Sequence, residues 1–313
     1  MNIFINHDEQ RLRAGWRLLA QLFVMYFIGF GLILILHLTM HSVSSRLSII
    51  MMAIGAVLST LMAARGLDRR PWKDYGITFS KKSYYHCLLG FLLSGIAMGI
   101  IYVIEYIAGW LTFANFGWTG YAHPLQYIAA LITYFLFMVV VGFYEELVFR
   151  GYQIVNLSEG LNLQRISRRQ AAIIAVALSS LIFGMLHAFN PDASIISTIY
   201  VTLAGAMLAF PFIITGRLSL SIGLHIGWNF FEGGIFGFTV SGMPTRTSLL
   251  HIHQQGPTFI TGGAFGPEAG LMGLLGIALI VSVLWWRFRK YKQPLAISDR
   301  IGIYSSSPRY PHI

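Results

Sequence analysis

Of the 313 residues, 56% are hydrophobic and 11% charged, at a mean hydropathy of +0.65; soluble domains carry about 25% charged residues, which excludes a water-soluble globule. The net charge of +10 does not mark a nucleic-acid partner, because the Lys and Arg residues fall in short connections and at the two ends. Cys87 is the lone cysteine and lies in an apolar run, so neither an intrachain disulfide nor a cysteine metal cluster can form.

Along the chain, Arg11, Arg13 and Arg17 introduce an apolar stretch from Trp16 to Leu38. It is long enough to span, and no small-residue cleavage site ends it, so it reads as a retained first helix rather than a signal peptide. A span needs about 20 mainly apolar residues. That criterion predicts helices at 16–40, 46–64, 84–108, 125–157, 170–188, 194–214, 218–237 and 270–288, the fifth and seventh less plainly hydrophobic because they carry polar residues. The expected fold is therefore all-α, a polytopic transmembrane bundle of about eight spans. It is expected to form a single integral membrane domain over 1–313, with a motif-bearing core at about 125–237.

Cytoplasmic connections are enriched in Lys and Arg. An N-terminus placed inside, followed by eight crossings, puts 20 of the 22 basic residues on the cytoplasmic side, leaving Arg46 and Arg246 outside. Both termini are then cytoplasmic, and the basic stretches are topogenic. The expected location is a cell membrane of bacterial cytoplasmic type, crossed many times, with the lipid bilayer as the first partner. The segment 237–270 is rich in Gly and Pro, holds His251 and His253, and reads as a long outward loop, either a lid or a linker. Neither an internal repeat nor a low-complexity tract is present.

Charge inside a span is costly, about 2.5–3.5 kcal/mol at a helix centre, so such groups pair or face a polar cavity. Glu146 and Arg150 lie four apart and share a helix face, a structural ion pair. Glu145 has Phe149 at that spacing and must find relief on another helix. The next span carries His187; an antiparallel hairpin turning near 163–164 brings Glu145 and His187 within about 10 Å in depth. The seventh span aligns His225, Asn229 and Glu232 on one face. His37 and His41, near the end of the first span, read as hydrogen-bonded bridges between helices. Glu145, His187, His225 and Asn229 make several costly burials unless they share one polar cavity.

A buried carboxylate beside a His can take a proton from water as a general base. A second His and an Asn amide supply donors where a tetrahedral intermediate develops negative charge, so the set suits amide hydrolysis. A zinc site built from Glu145, His187 and His225 is the rival arrangement. The short HExxH spacing is absent, and spacing gives zinc no positive support.

At these residues the sequence resembles the CPBP family of intramembrane proteases, which includes the type II CAAX prenyl endopeptidases and the bacterial Abi proteins. Glu145-Glu146-Leu-Val-Phe-Arg150 matches the Glu-Glu-x-x-x-Arg motif, Phe183-Gly-Met-Leu-His187 the Phe-x-x-x-His motif, and His225-Ile-Gly-Trp-Asn229 the His-x-x-x-Asn motif, in the same order. Arg69-Arg70-Pro71-Trp72, followed by Gly76, resembles a connection common before the family's core. The resemblance covers 144–230 by motif. It implies that Glu145 and His187 activate water, that His225 and Asn229 hold the oxyanion, and that Glu146 and Arg150 support the first motif helix. It further implies an endopeptidase acting on a membrane-associated or lipidated protein or peptide, with no cofactor expected and zinc as the alternative. Two other classes stay open: a non-enzymatic scaffold or bacteriocin immunity factor of the same fold, and a proton-coupled transporter, against which the lack of an inverted repeat speaks.

Overall fold

The computed structural model describes residues 2–7, 9–40, 42–291 and 296–304; His41, Lys292 and Arg309 lie outside the described residues. Among the described residues, seven helices are long and apolar enough to cross a membrane. They are α1 (Ala14–Thr39), α2 (Ser45–Gly66), α3 (Lys81–Ile107), α4 (Pro124–Leu161), α5 (Arg168–His187), α6 (Ile195–Thr215) and, last among the described residues, α8 (Leu271–Lys290). The eighth expected span is the shorter α7, an α-helix over Ser219–Asn229 continued by a π-helical segment, Phe230–Ile235. Nine of the eleven residues of Ser219–Asn229 are buried. A helix walled in by its neighbours presents no face to lipid, so it tolerates the polar residues that lower its hydrophobicity.

Inside a bilayer the backbone groups at helix ends still need partners. Ser44, Ser80, Ser167 and Ser194 cap α2, α3, α5 and α6 by accepting a hydrogen bond from the N–H three residues on. Lipid supplies no hydrophobic drive between helices, so association relies on close packing of small residues. The α3–α7 contact shows this at Gly223, where an added Cβ would stand 1.9 Å from the Cys87 carbonyl oxygen. Only a hydrogen fits there, and the two backbones touch.

The two ends of the bundle differ. At the basic end, Arg11, Arg17 and Arg70 converge on the Glu159 carboxylate, and Arg17 also pairs with Asp68 at 2.7 Å. Tyr75 donates to Asp68 at 2.5 Å; burial and that carboxylate hold its hydroxyl well above the ordinary phenol range. The chain after α8 returns across this end. Arg168 donates to the Ile297 carbonyl at 3.2 Å, Asn162 to that of Gly302 at 2.9 Å and Arg70 to that of Ile303 at 3.1 Å. Tyr75, Tyr152, Phe212, Leu218 and Ile301 fill the space beneath.

At the opposite end, β3 (Leu111–Phe116) pairs antiparallel with β4 (Leu250–Gln254), with His253 opposite Thr112 and a bulge between Phe113 and Asn115. The 237–270 stretch is thereby tied to the α3–α4 connection rather than free, and His251 and His253 lie on its strand. A second short pair, β1 (Ile5–Asn6) with β2 (Arg11–Leu12), forms the N-terminal hairpin.

Candidate active site

Glu145 and Glu146 sit where α4 changes winding: the α-helical part ends at Glu145 and a π-helical segment runs from Glu146 to Ile154. The same change occurs on α7 immediately after Asn229. π turns hydrogen-bond i to i+5 and concentrate at functional sites. Gly142 lets these helices approach, since a Cβ there would stand 2.7 Å from the Ile226 side chain. Gly184 does the same for α5 against α6, with its would-be Cβ 2.0 Å from the Thr202 hydroxyl. His187 is placed by that contact.

Glu145, His187, His225 and Asn229 all line one cavity of about 850 Å³. The pairing within it differs from the expected one. Glu145 has His225 as its imidazole neighbour, with Oε2 3.6 Å from Nε2, while His187 turns its Nδ1 onto the Phe183 carbonyl at 2.8 Å. The Phe183 ring separates the two histidines, 4.5 Å from His187 and 6.0 Å from His225 between centroids. At 3.6 Å the Glu145–His225 approach is beyond hydrogen-bond length.

Behind the cavity wall, Glu146 is fully buried, forms an ion pair with Arg150 at 2.9 Å and accepts a hydrogen bond from His225 Nδ1 at 2.8 Å. The expected Glu146–Arg150 pair is present, and it does more than brace its own helix. A carboxylate paired with a guanidinium only accepts hydrogen bonds, so His225 carries a proton on Nδ1 and turns Nε2 toward Glu145. The same reasoning applies to His187. The Phe183 carbonyl only accepts, so Nδ1 is protonated there too and Nε2 is free toward the cavity. Arg150 is completed by the Gly205 carbonyl at 3.2 Å and by the Phe183 ring, 4.3 Å beneath its guanidinium.

Glu232 departs from the face predicted for it. It is fully buried and does not line the cavity. Each residue of a π turn advances less around the axis than an α residue, so Glu232, three residues past Asn229, falls off the line of His225 and Asn229. Its carboxyl lies against that of Glu268 instead. His37 bonds its own helix, at the Ile33 carbonyl 2.9 Å away, rather than a neighbour.

Several cavity residues carry no spacing signal in the sequence. Tyr144 donates its hydroxyl to Glu145 Oε1 at 2.9 Å; adjacency to the Glu-Glu pair is the one clue to it. Glu268 lines the cavity and accepts from Trp228 Nε1 at 3.0 Å and from the Ser241 hydroxyl at 2.5 Å. It comes from the segment read as lid or linker. As for zinc, His225 commits Nδ1 to Glu146 and His187 commits its own to the Phe183 carbonyl, which leaves Nε2 free on each. Among the described residues no three His, Cys, Asp or Glu side chains converge closely enough to hold a metal ion.

Compared with known protein families, residues 127–231 match the type II CAAX prenyl endopeptidase Rce1-like family. That span contains all seven residues of the three motifs singled out above. No curated protein and no solved structure matches the chain.

Proposed function

We propose that this chain, which carries an Rce1-like type II CAAX prenyl endopeptidase domain, is an intramembrane endopeptidase that hydrolyses a peptide bond of a membrane-associated or lipidated protein or peptide. The observation that supports it best is the meeting of Glu145, His187, His225 and Asn229, from three helices, in one cavity. None of the four is consumed by a structural ion pair with a cation. A scaffold would have no need to leave them turned to open space.

In this reading a water molecule stands between Glu145 and His187 and attacks the scissile carbonyl carbon as its proton passes to the Glu145 carboxylate. The unprotonated Nε2 of His187 orients it. Glu145 Oε2 and His225 Nε2 face each other at 3.6 Å, close enough for a proton to pass to Nε2 during turnover. With that proton on Nε2, His225 and the Asn229 amide donate to the oxyanion as the carbonyl oxygen gains charge. Collapse of the intermediate breaks the C–N bond, and the proton on Glu145 moves to the departing nitrogen. Glu146, neutralised by Arg150, keeps the His225 ring oriented throughout.

The test is cleavage of a membrane-anchored quenched peptide by the purified full chain in proteoliposomes. Glu145→Gln and His187→Ala are each expected to lower turnover at least a hundredfold, the lower range for a lost general acid–base group. Cleavage that survives both substitutions ends the catalytic assignment and leaves the scaffold.

A further inference from the structure

The cavity has a direction. Beyond the four site residues its walls are completed by Ser45 and Arg46 from the first turn of α2, by Asn190 and Pro191 after α5, and by the 240–245 segment before β4. Ser45, Arg46, Pro191 and Pro244 are exposed. All of these belong to the end of the bundle that carries β3 and β4. None of its lining comes from 67–80, 162–167, 216–218 or 291–304, the connections of the basic end.

That basic end is shut from below. Tyr75, Tyr152, Phe212, Leu218 and Ile301 are each at most 1% exposed. Over them lie the Glu159 ion pairs and the strap of 297–303, as described for the fold. A peptide reaching Glu145 from the basic end would have to break this network, whereas from the opposite end the path is already open. Of the described Lys and Arg residues, Arg46 and Arg246 are those at the open end, and Arg150 is buried mid-bundle.

We infer that the site is fed from the extracytoplasmic side. Because Lys and Arg mark the cytoplasmic side of a membrane protein, the sealed basic end is cytoplasmic and the mouth of the cavity faces outward. The substrate class follows. It is a peptide whose scissile bond is presented at the extracytoplasmic face of the bilayer, with an apolar segment to lie against Ile49, Met52, Phe137 and Val141, which line the cavity between mouth and site. A polypeptide modified and held on the cytoplasmic surface does not meet that description. This rests on the endopeptidase reading for what happens to the peptide, but the side of access is independent of it.

Two measurements separate the claims. In a Cys87→Ser background, the full chain carrying Ser45→Cys, Val141→Cys or Gln164→Cys is produced in a bacterial host, and intact spheroplasts are treated with a membrane-impermeant maleimide. Ser45→Cys and Val141→Cys are expected to label, and Gln164→Cys, at the exposed α4–α5 connection, only after lysis. Labelling of Gln164→Cys alone in intact spheroplasts overturns the inference. In the second arm a quenched peptide with an apolar segment is added to spheroplasts or to inverted vesicles. Cleavage at least tenfold faster in spheroplasts, and its loss when Ser45→Cys carries a bulky maleimide, supports the outward mouth; faster cleavage in inverted vesicles refutes it. No cleavage in either preparation, with labelling as expected, removes the endopeptidase reading and leaves the side of access standing.

Discussion

Replacing Arg150 by Met removes the cation from the centre of the bundle while keeping much of the side-chain volume. Three contacts go: the 2.9 Å ion pair with Glu146, the 3.2 Å bond to the Gly205 carbonyl and the 4.3 Å approach to the Phe183 ring. The carbonyl bond is small, since hydrogen bonds between transmembrane helices average about 0.6 kcal/mol. The ion pair dominates, because Glu146 is fully buried and loses its counter-charge. Breaking a buried pair by removing one partner costs about 3–5 kcal/mol, roughly a hundred- to several-thousand-fold in the folding equilibrium. The cost of truncating both partners should be far less than the sum, because Glu146→Gln/Arg150→Met leaves no stranded charge. Reversible unfolding in mixed micelles of the four proteins of this double-mutant cycle reads the difference. A cost below about 1 kcal/mol for Arg150→Met, or strict additivity in the double variant, refutes the view that Glu146 is held as a charge by Arg150.

Glu145→Gln should abolish turnover yet leave the thermal midpoint within a few degrees of the parent, since its Oε2 has no hydrogen-bond partner to lose; a collapse of stability would make it a structural residue. Tyr144→Phe deletes the 2.9 Å bond to Glu145, and a hydrogen bond to a charged group is worth about 1.5–3 kcal/mol. It should lower kcat by roughly ten- to a hundredfold with little change in KM, and an unchanged kcat would remove Tyr144 from the site. Gly223→Val would place a Cβ 1.9 Å from the Cys87 carbonyl, so the folded yield from membranes should fall sharply; normal yield and stability would mean that α3 and α7 are not in backbone contact. Glu159→Gln removes the carboxylate that Arg11, Arg17 and Arg70 share and should make the N-terminal hairpin susceptible to trypsin in solubilised protein, where equal resistance to that of the parent argues against the clasp.

The chemistry-bearing residues were legible because a polar side chain in an apolar span is conspicuous. Glu145, Glu146, Arg150, His187, His225 and Asn229 stand out against Leu, Ile, Val and Phe, and the cost of burying them predicts that they meet. The span boundaries were legible for a related reason: apolar length and basic flanks both act within one helix. Tyr144, Glu268 and Ser241 were not, because what makes them part of the cavity is contact with residues far along the chain. The assignment of neighbours was also hidden. Spacing pointed Glu145 toward His187, whereas Glu145 and Glu146 both face His225, since α7 packs against α4 through Gly142.

By itself the sequence determined an all-α membrane bundle, its spans to within a few residues, and the six polar side chains of the motifs. These follow from hydrophobicity and charge read locally, and lipid enforces them without reference to tertiary contacts. Only the tertiary structure decided that α4 and α7 change to π winding at the motif residues, that Glu232 leaves the His225–Asn229 face, and that the cavity opens away from the basic end. Each of these depends on how one helix rotates and packs against another. Glycine positions and side-chain networks set that arrangement over separations that no periodicity records.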